Sequence, residues 1–225
     1  VSRVRAGFFS FTEVTDPGQH RAYNEWHMLD HMPEQFALAG VALGQRWVLT
    51  PDAARRAVLR PPFERVHYVT LYLMTDPLAA TLDDFAALGA SLHAAEGRWF
   101  DARRAHVSGP WRVDEMRAAQ RVQVRAEVLP ARPHRAVHIT VGGSCEVASV
   151  CELPGVAGAW SFAADASLVA RRRGGVEAPI RLAWLDHLDA AVPDADSLEF
   201  GPDVLFAATL HPITPWEWDW FDRPQ

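Results

Sequence analysis

Between Tyr23 and Val41 the chain reads YNEWHMLDHMPEQFALAGV, and here ionisable and aromatic residues gather at a chemically suggestive spacing. At 100° per residue Tyr23, His27, Asp30, His31 and Glu34 fall within roughly a quarter of a helix circumference, with Ala22, Leu29, Met32 and Phe36 opposite. One face is titratable and the other apolar. His31, oriented by Asp30, is placed to take a proton from the carbon beside a carbonyl and return it elsewhere. His27 stands one turn away, and Tyr23, Tyr68 or Tyr72 would donate to the developing enolate. Cyclases, dehydratases, isomerases and some monooxygenases work this way without a cofactor. A solvated polar face on a surface helix is the plain alternative. His27 and His31 with Glu34 or Asp30 also have metal-ligand spacing, but no third compact ligand is evident and no metal is assigned.

The elements that position these groups come next. Asp16-Pro17-Gly18-Gln19 supplies an aspartate cap, a proline at the first helical position and a capping-box glutamine. Pro33 removes a backbone donor and disfavours the α conformation at Met32, so the helix is expected over 17–32, with His31 at its C-terminus, where unpaired carbonyls favour an imidazolium. Val4–Val14 and Arg65–Thr75 alternate as strands. In the first, Phe9 and Phe11 share a face. In the second, Val69, Leu71 and Leu73 lie opposite Tyr68, Thr70, Tyr72 and Met74. Val41–Leu49 is a third strand, residues 51–64 a long loop that reads as a lid or an insertion, Thr81–Gly97 a helix and residues 103–113 an edge strand. The order β-α-β-β-α-β is that of a ferredoxin-like unit.

Residues 117–134 read as a connector, and a shorter copy follows over 135–225. In it Leu153-Pro154-Gly155-Val156 parallels Leu38-Ala39-Gly40-Val41. The expected domains are therefore 1–116, 117–134 and 135–225. The fold class is α+β, two tandem ferredoxin-like units whose antiparallel sheets pair into a pseudo-dimeric α+β barrel. The tail Thr214–Phe221 opens like a capped helix, and its aromatic residues should pack on the barrel or across a homodimer interface.

Composition narrows the function classes. With 49% apolar and 22% charged residues the chain is ordinary for a globular protein, and no apolar run is long enough to span a membrane. A net charge of −6 argues against a nucleic-acid partner. Cys145 and Cys151 match no metal motif and suit a reducing compartment, so a soluble cytoplasmic protein is expected. Arg171-Arg172-Arg173-Gly174-Gly175 reads as a solvated hairpin loop before a phosphate grip.

Tyr23-Asn24-Glu25-Trp26-His27, Asp30-His31-Met32-Pro33 and Leu38-Ala39-Gly40-Val41, following an aromatic first strand, resemble the first helix and turn of the dimeric α+β barrel proteins, particularly the EthD-like group. The resemblance implies two four-stranded sheets closing around a shared cavity, with His31 near its mouth. It implies no single reaction, because the family includes cofactor-free monooxygenases, polyketide cyclases, isomerases and haem proteins. His138, His187 and His211 would be the axial candidates for a haem. The second unit has no counterpart of His27-Asp30-His31, so any site is single. The pocket is expected to be lined by Phe9, Phe11, Trp26, Trp47, Tyr68 and Tyr72 and to take an apolar or aromatic carbonyl compound. A non-catalytic protein that binds a small hydrophobic ligand or serves in an assembly is the competing class.

Overall fold

In the computed structural model, which describes residues 3–144, 146–187, 201–214 and 216–222, the strands form one continuous antiparallel barrel. Its elements in chain order are β1 (Val4–Val14), a 3-10 turn (Pro17–Gln19), α1 (His20–Glu25), a π-helical turn (Trp26–His31), α2 (Met32–Phe36), β2 (Val41–Val48), α3 (Pro51–Ala54), β3 (Val58–Leu59), β4 (Tyr68–Thr75), α4 (Leu78–Ala94), β5 (Arg103–Ala118), β6 (Ala136–Gly142), α5 (Ala148–Cys151), β7 (Val156–Ala163), β8 (Ile180–Leu185) and β9 (Val204–Pro212). Eight strands close in the order β2-β4-β1-β5-β7-β8-β6-β9, returning to β2 through Trp47 opposite Pro212 and Val48 opposite His211. The short β3 covers the rest of the β9 edge.

Alternation fills this barrel. Phe9 and Phe11 of β1, Trp47 of β2, Val69, Leu71 and Leu73 of β4, Trp111 of β5, Trp160 and Phe162 of β7, Trp184 of β8 and Phe206 of β9 form one buried cluster. An eight-stranded barrel is just wide enough for side chains to occupy it, and these aromatic residues do so. Packing is close enough that a Cβ on Gly7 would meet Leu71 at 2.8 Å and Phe162 at 2.9 Å. Three of the four lumen indoles donate outwards: Trp47 to His134 Nε2, Trp111 to the Ala178 carbonyl and Trp160 to the Ala126 carbonyl.

The expected pair of ferredoxin-like units forming a pseudo-dimeric α+β barrel is thus corrected to a closed antiparallel β-barrel, in which strand outweighs helix, 37% to 28% of the described residues. Among the described residues the long helical runs, 20–36 and α4, both belong to the first half, and the second half contributes only the four-residue α5 and short 3-10 turns. Helical signals that short cannot build a second covering layer. Phe9, Phe11 and Trp47, expected to line a ligand pocket, instead belong to the packed core cluster of the lumen.

The connector and the lid also read differently. Strand β5 runs across the boundary at residue 116, and the 3-10 segment Ala126–Ala131 buries Leu129 in the barrel core. Residues 51–64 plug the barrel: Thr50 caps α3 by accepting from the Ala53 N–H, and the fully buried Phe63 sits 4.9 Å from Phe11 and 5.5 Å from Phe206, ring centre to ring centre. Among the described residues no helix is long and apolar enough to cross a membrane, which says nothing of a barrel that crosses with strands.

Candidate functional site

On the outer wall of β1, β2 and β4, one residue away from the lumen positions, the side chains change character. Arg46 lies opposite Thr70, and Thr70 opposite Ser10, giving a polar row across three strands. The helical segment 20–36 lies over this row. Asp16 starts it as expected, accepting from the Gly18 N–H at 3.0 Å. Pro33 does not end it. The helix instead widens, the Met32 N–H bonding five residues back to the His27 carbonyl, and then continues to Phe36. Such π-helical turns are frequent at functional sites. His31 is therefore inside the helical run, not at its C-terminus.

The buried face only partly follows the amphipathic expectation: Met32 is buried and Asp30 exposed as apolar and charged residues should be, but other positions exchange roles. Tyr23, Asn24, His27 and Gln35 are buried against the wall, whereas Leu29 is 43% and Phe36 48% exposed. The reason is the wall itself: Arg46 and Thr70 can be covered only by groups able to share their polarity, and the apolar partners are already committed to the lumen. Gly44 permits the close approach, since a Cβ there would meet Phe36 at 2.8 Å and Tyr72 at 3.0 Å.

Arg46, 4% exposed, donates through Nη2 to Asn24 Oδ1 at 3.1 Å. Asn24 Nδ2 donates to the Tyr68 hydroxyl at 3.0 Å, and this hydroxyl is 2.9 Å from His20 Nδ1. The Arg46 guanidinium also lies 5.1 Å from the Tyr23 ring and 5.6 Å from that of Tyr68. At the half-buried rim His31 stacks on Trp26 at 4.5 Å and stands 5.0 Å from His27, ring centre to ring centre. Arg103, from the start of β5, lies 4.2 Å from the Trp99 ring and 5.4 Å from that of Trp26.

Several polar atoms here are buried without a hydrogen-bond partner among the described residues: Tyr23 Oη, His27 Nδ1, His31 Nδ1, Gln35 Oε1, Arg46 Nε and Nη1, Tyr72 Oη and Arg103 Nε. Leaving such groups unpaired costs about 1–3 kcal/mol each, so a cluster of them is a feature that stability alone would remove. Burial, reinforced by the nearby Arg103 and Arg46 charges, lowers His31 to about 3. Burial, then Arg46, His31 and Arg103, takes His27 well below the usual histidine range. Burial raises Tyr72 against the opposing pull of Arg46. At neutral pH the cluster therefore holds two uncharged imidazoles as acceptors, protonated phenols as donors and two guanidinium cations.

The expected site residues divide between three places. Tyr23, Trp26, His27, His31, Tyr68 and Tyr72 meet under the helix, and Phe9, Phe11 and Trp47 lie in the lumen. Asp30 is exposed and makes no hydrogen bond to His31, whose ring is set by Trp26 instead. Arg46, Arg103, Asn24 and Trp99 were not foreseen. Alternation along β2 places Arg46 on the face opposite Trp47 and so towards the helix, the one signal that could have found it.

Other candidates fall away from the cluster. His138 is buried and paired with Thr209 Oγ1 at 3.1 Å, and His187 is exposed. Among the described residues no three His, Cys, Asp or Glu side chains gather as metal ligands. Arg171 pairs with Asp83 of α4, while Arg172 donates to the carbonyls of Pro110 in β5 and Asp165, so the run expected as a solvated hairpin loop is tied to its neighbours. Cys145 lies outside the described residues. Among its described residues the tail is not helical: Trp218 is buried beside Tyr23 and Tyr68, and Phe221 stacks on His20 at 3.8 Å, covering the inner end of the cluster. No protein-family model and no curated protein matches the chain.

Proposed function

We propose that the protein is an enzyme that shifts a proton on an apolar or aromatic carbonyl compound, using the cluster between the helical segment 20–36 and the barrel wall. Support comes chiefly from one observation: two uncharged histidines, two tyrosine hydroxyls and two guanidinium groups converge with unpaired atoms. His31 Nδ1, at the rim, takes a proton from the carbon next to the carbonyl. The C–H pair becomes a C=C bond, and the carbonyl π pair moves to oxygen as an enolate. The guanidinium of Arg46 or Arg103 and the hydroxyl of Tyr72 or Tyr23 stabilise that oxygen, and the imidazolium returns the proton to oxygen or carbon. Trp26 and Trp99 offer flat apolar surface to the body of the substrate.

Exchange of the benzylic protons of phenylpyruvate in D2O, followed by proton NMR, tests this reading. The protein should accelerate exchange over buffer, and His31→Ala should remove most of the acceleration while the fold persists. Acceleration unchanged in His31→Ala would overturn the assignment, and none in the parent protein would favour a ligand-binding role.

A further inference from the structure

Several guanidinium groups of this chain are matched by acids. Arg98 pairs with Glu34, Arg112 with Asp165, Arg121 and Arg132 with Asp186, and Arg65 reaches the buried Glu13 at 2.7 Å. Arg60 and Arg172 donate to backbone carbonyls instead. Arg46 and Arg103 differ from both groups. Among the described residues neither has a carboxylate partner, although Arg46 is almost wholly buried and Arg103 is flanked by indoles. A buried guanidinium without a counter-charge is costly, and burial indeed lowers Arg103 from the usual arginine range. Arg46 is nonetheless held in place by Asn24, itself held through Tyr68, which leaves Nε and Nη1 bare. Bare N–H donors on a fixed cation are suited to an anionic acceptor.

We infer that the ligand of this cluster carries a carboxylate, bound by Arg46 and Arg103, on an aromatic or apolar body that rests on Trp26 and Trp99. The inference rests on the reading of this cluster as the substrate site and adds the charge of the substrate to it. It also addresses the weakness of His31 as a base. Its imidazole is held down in part by the two guanidinium charges, and a bound carboxylate offsets them, so the base strengthens when the site fills.

Isothermal titration of the full chain with phenylpyruvate, its neutral methyl ester and inorganic phosphate decides the matter. The acid should bind at least about ten-fold more tightly than the ester, consistent with one charge-assisted interaction of about 1.4 kcal/mol or more. Arg46→Met and Arg103→Met should each erase that preference, whereas His31→Ala should keep it. Should Arg46→Met fail to fold, Arg103→Met at the rim carries the test. Equal affinity for acid and ester, an unchanged preference in the folded arginine variants, or phosphate competing as well as the acid would each overturn the inference. The two readings fail separately. Tight, carboxylate-dependent binding without proton exchange removes the enzyme and leaves the anion site, while exchange of the ester as fast as the acid does the reverse.

Discussion

On its lumen side the wall of β1, β2 and β4 presents Phe11, Trp47 and Val69; on its outer side, one residue along each strand, it presents Ser10, Arg46 and Thr70. The inner row is fully buried and closely packed, and Trp47 finds a partner for its indole N–H. In the outer row Arg46 and Thr70 are buried and Ser10 partly so, yet Arg46 keeps two unpaired nitrogens and its neighbours Tyr23, His27 and Tyr72 each keep an unpaired polar atom. The strands thus separate two tasks by side-chain alternation. One face makes the barrel stable, and the other holds groups whose unpaired atoms cost stability.

Truncation should separate the faces most strongly. Phe11→Ala removes a ring that packs on Phe63 and Phe206 and should cost about 3–5 kcal/mol in urea unfolding. Acid comes next. Burial holds His138 at about 3 in the folded chain, while in the unfolded chain it takes up a proton below about 6.5. The unfolded state then binds more protons, so stability should fall as pH drops from about 6.5 towards 3, by up to about 1.4 kcal/mol per pH unit for each such histidine. His20, at about 4, acts in the same direction over a narrower window, and a His138→Gln variant should flatten the slope measured between pH 7 and 5.

Arg46→Met should then show the opposite sign from Phe11→Ala. Removal of an uncompensated guanidinium should leave stability unchanged or raise it by about 1 kcal/mol or more, while carboxylate binding is lost. A loss of several kcal/mol would mean that Arg46 serves the fold. Smallest is Tyr72→Phe, which deletes an unpaired hydroxyl and should change the unfolding free energy by less than about 1 kcal/mol while slowing proton exchange.

Much of this division was legible in the sequence where a single periodicity governs. The faces of β1 and β4 follow from period two, and Asp16-Pro17 marks the helix start. The direction of the helix was not legible, because its buried side is set by Arg46 of β2 and Thr70 of β4, which become neighbours only when the sheet forms. Pro33 pointed to a break because the π-helical widening that absorbs its missing N–H depends on the packed surroundings. Closure through Trp47–Pro212 and Val48–His211, and the plugging role of Phe63, arise from contacts more than a hundred residues apart that no local pattern records. The Asp30–His31 partnership failed for a simpler reason. Adjacent residues on a helix point in different directions.

The chain's nine tryptophans allow the central claim to be read directly. In indole-labelled protein titrated with phenylpyruvate, the NMR signals of Trp26 and Trp99 should shift while those of the lumen residues Trp47, Trp111, Trp160 and Trp184 stay in place. Shifts confined to the lumen indoles would place the ligand inside the barrel and contradict the account.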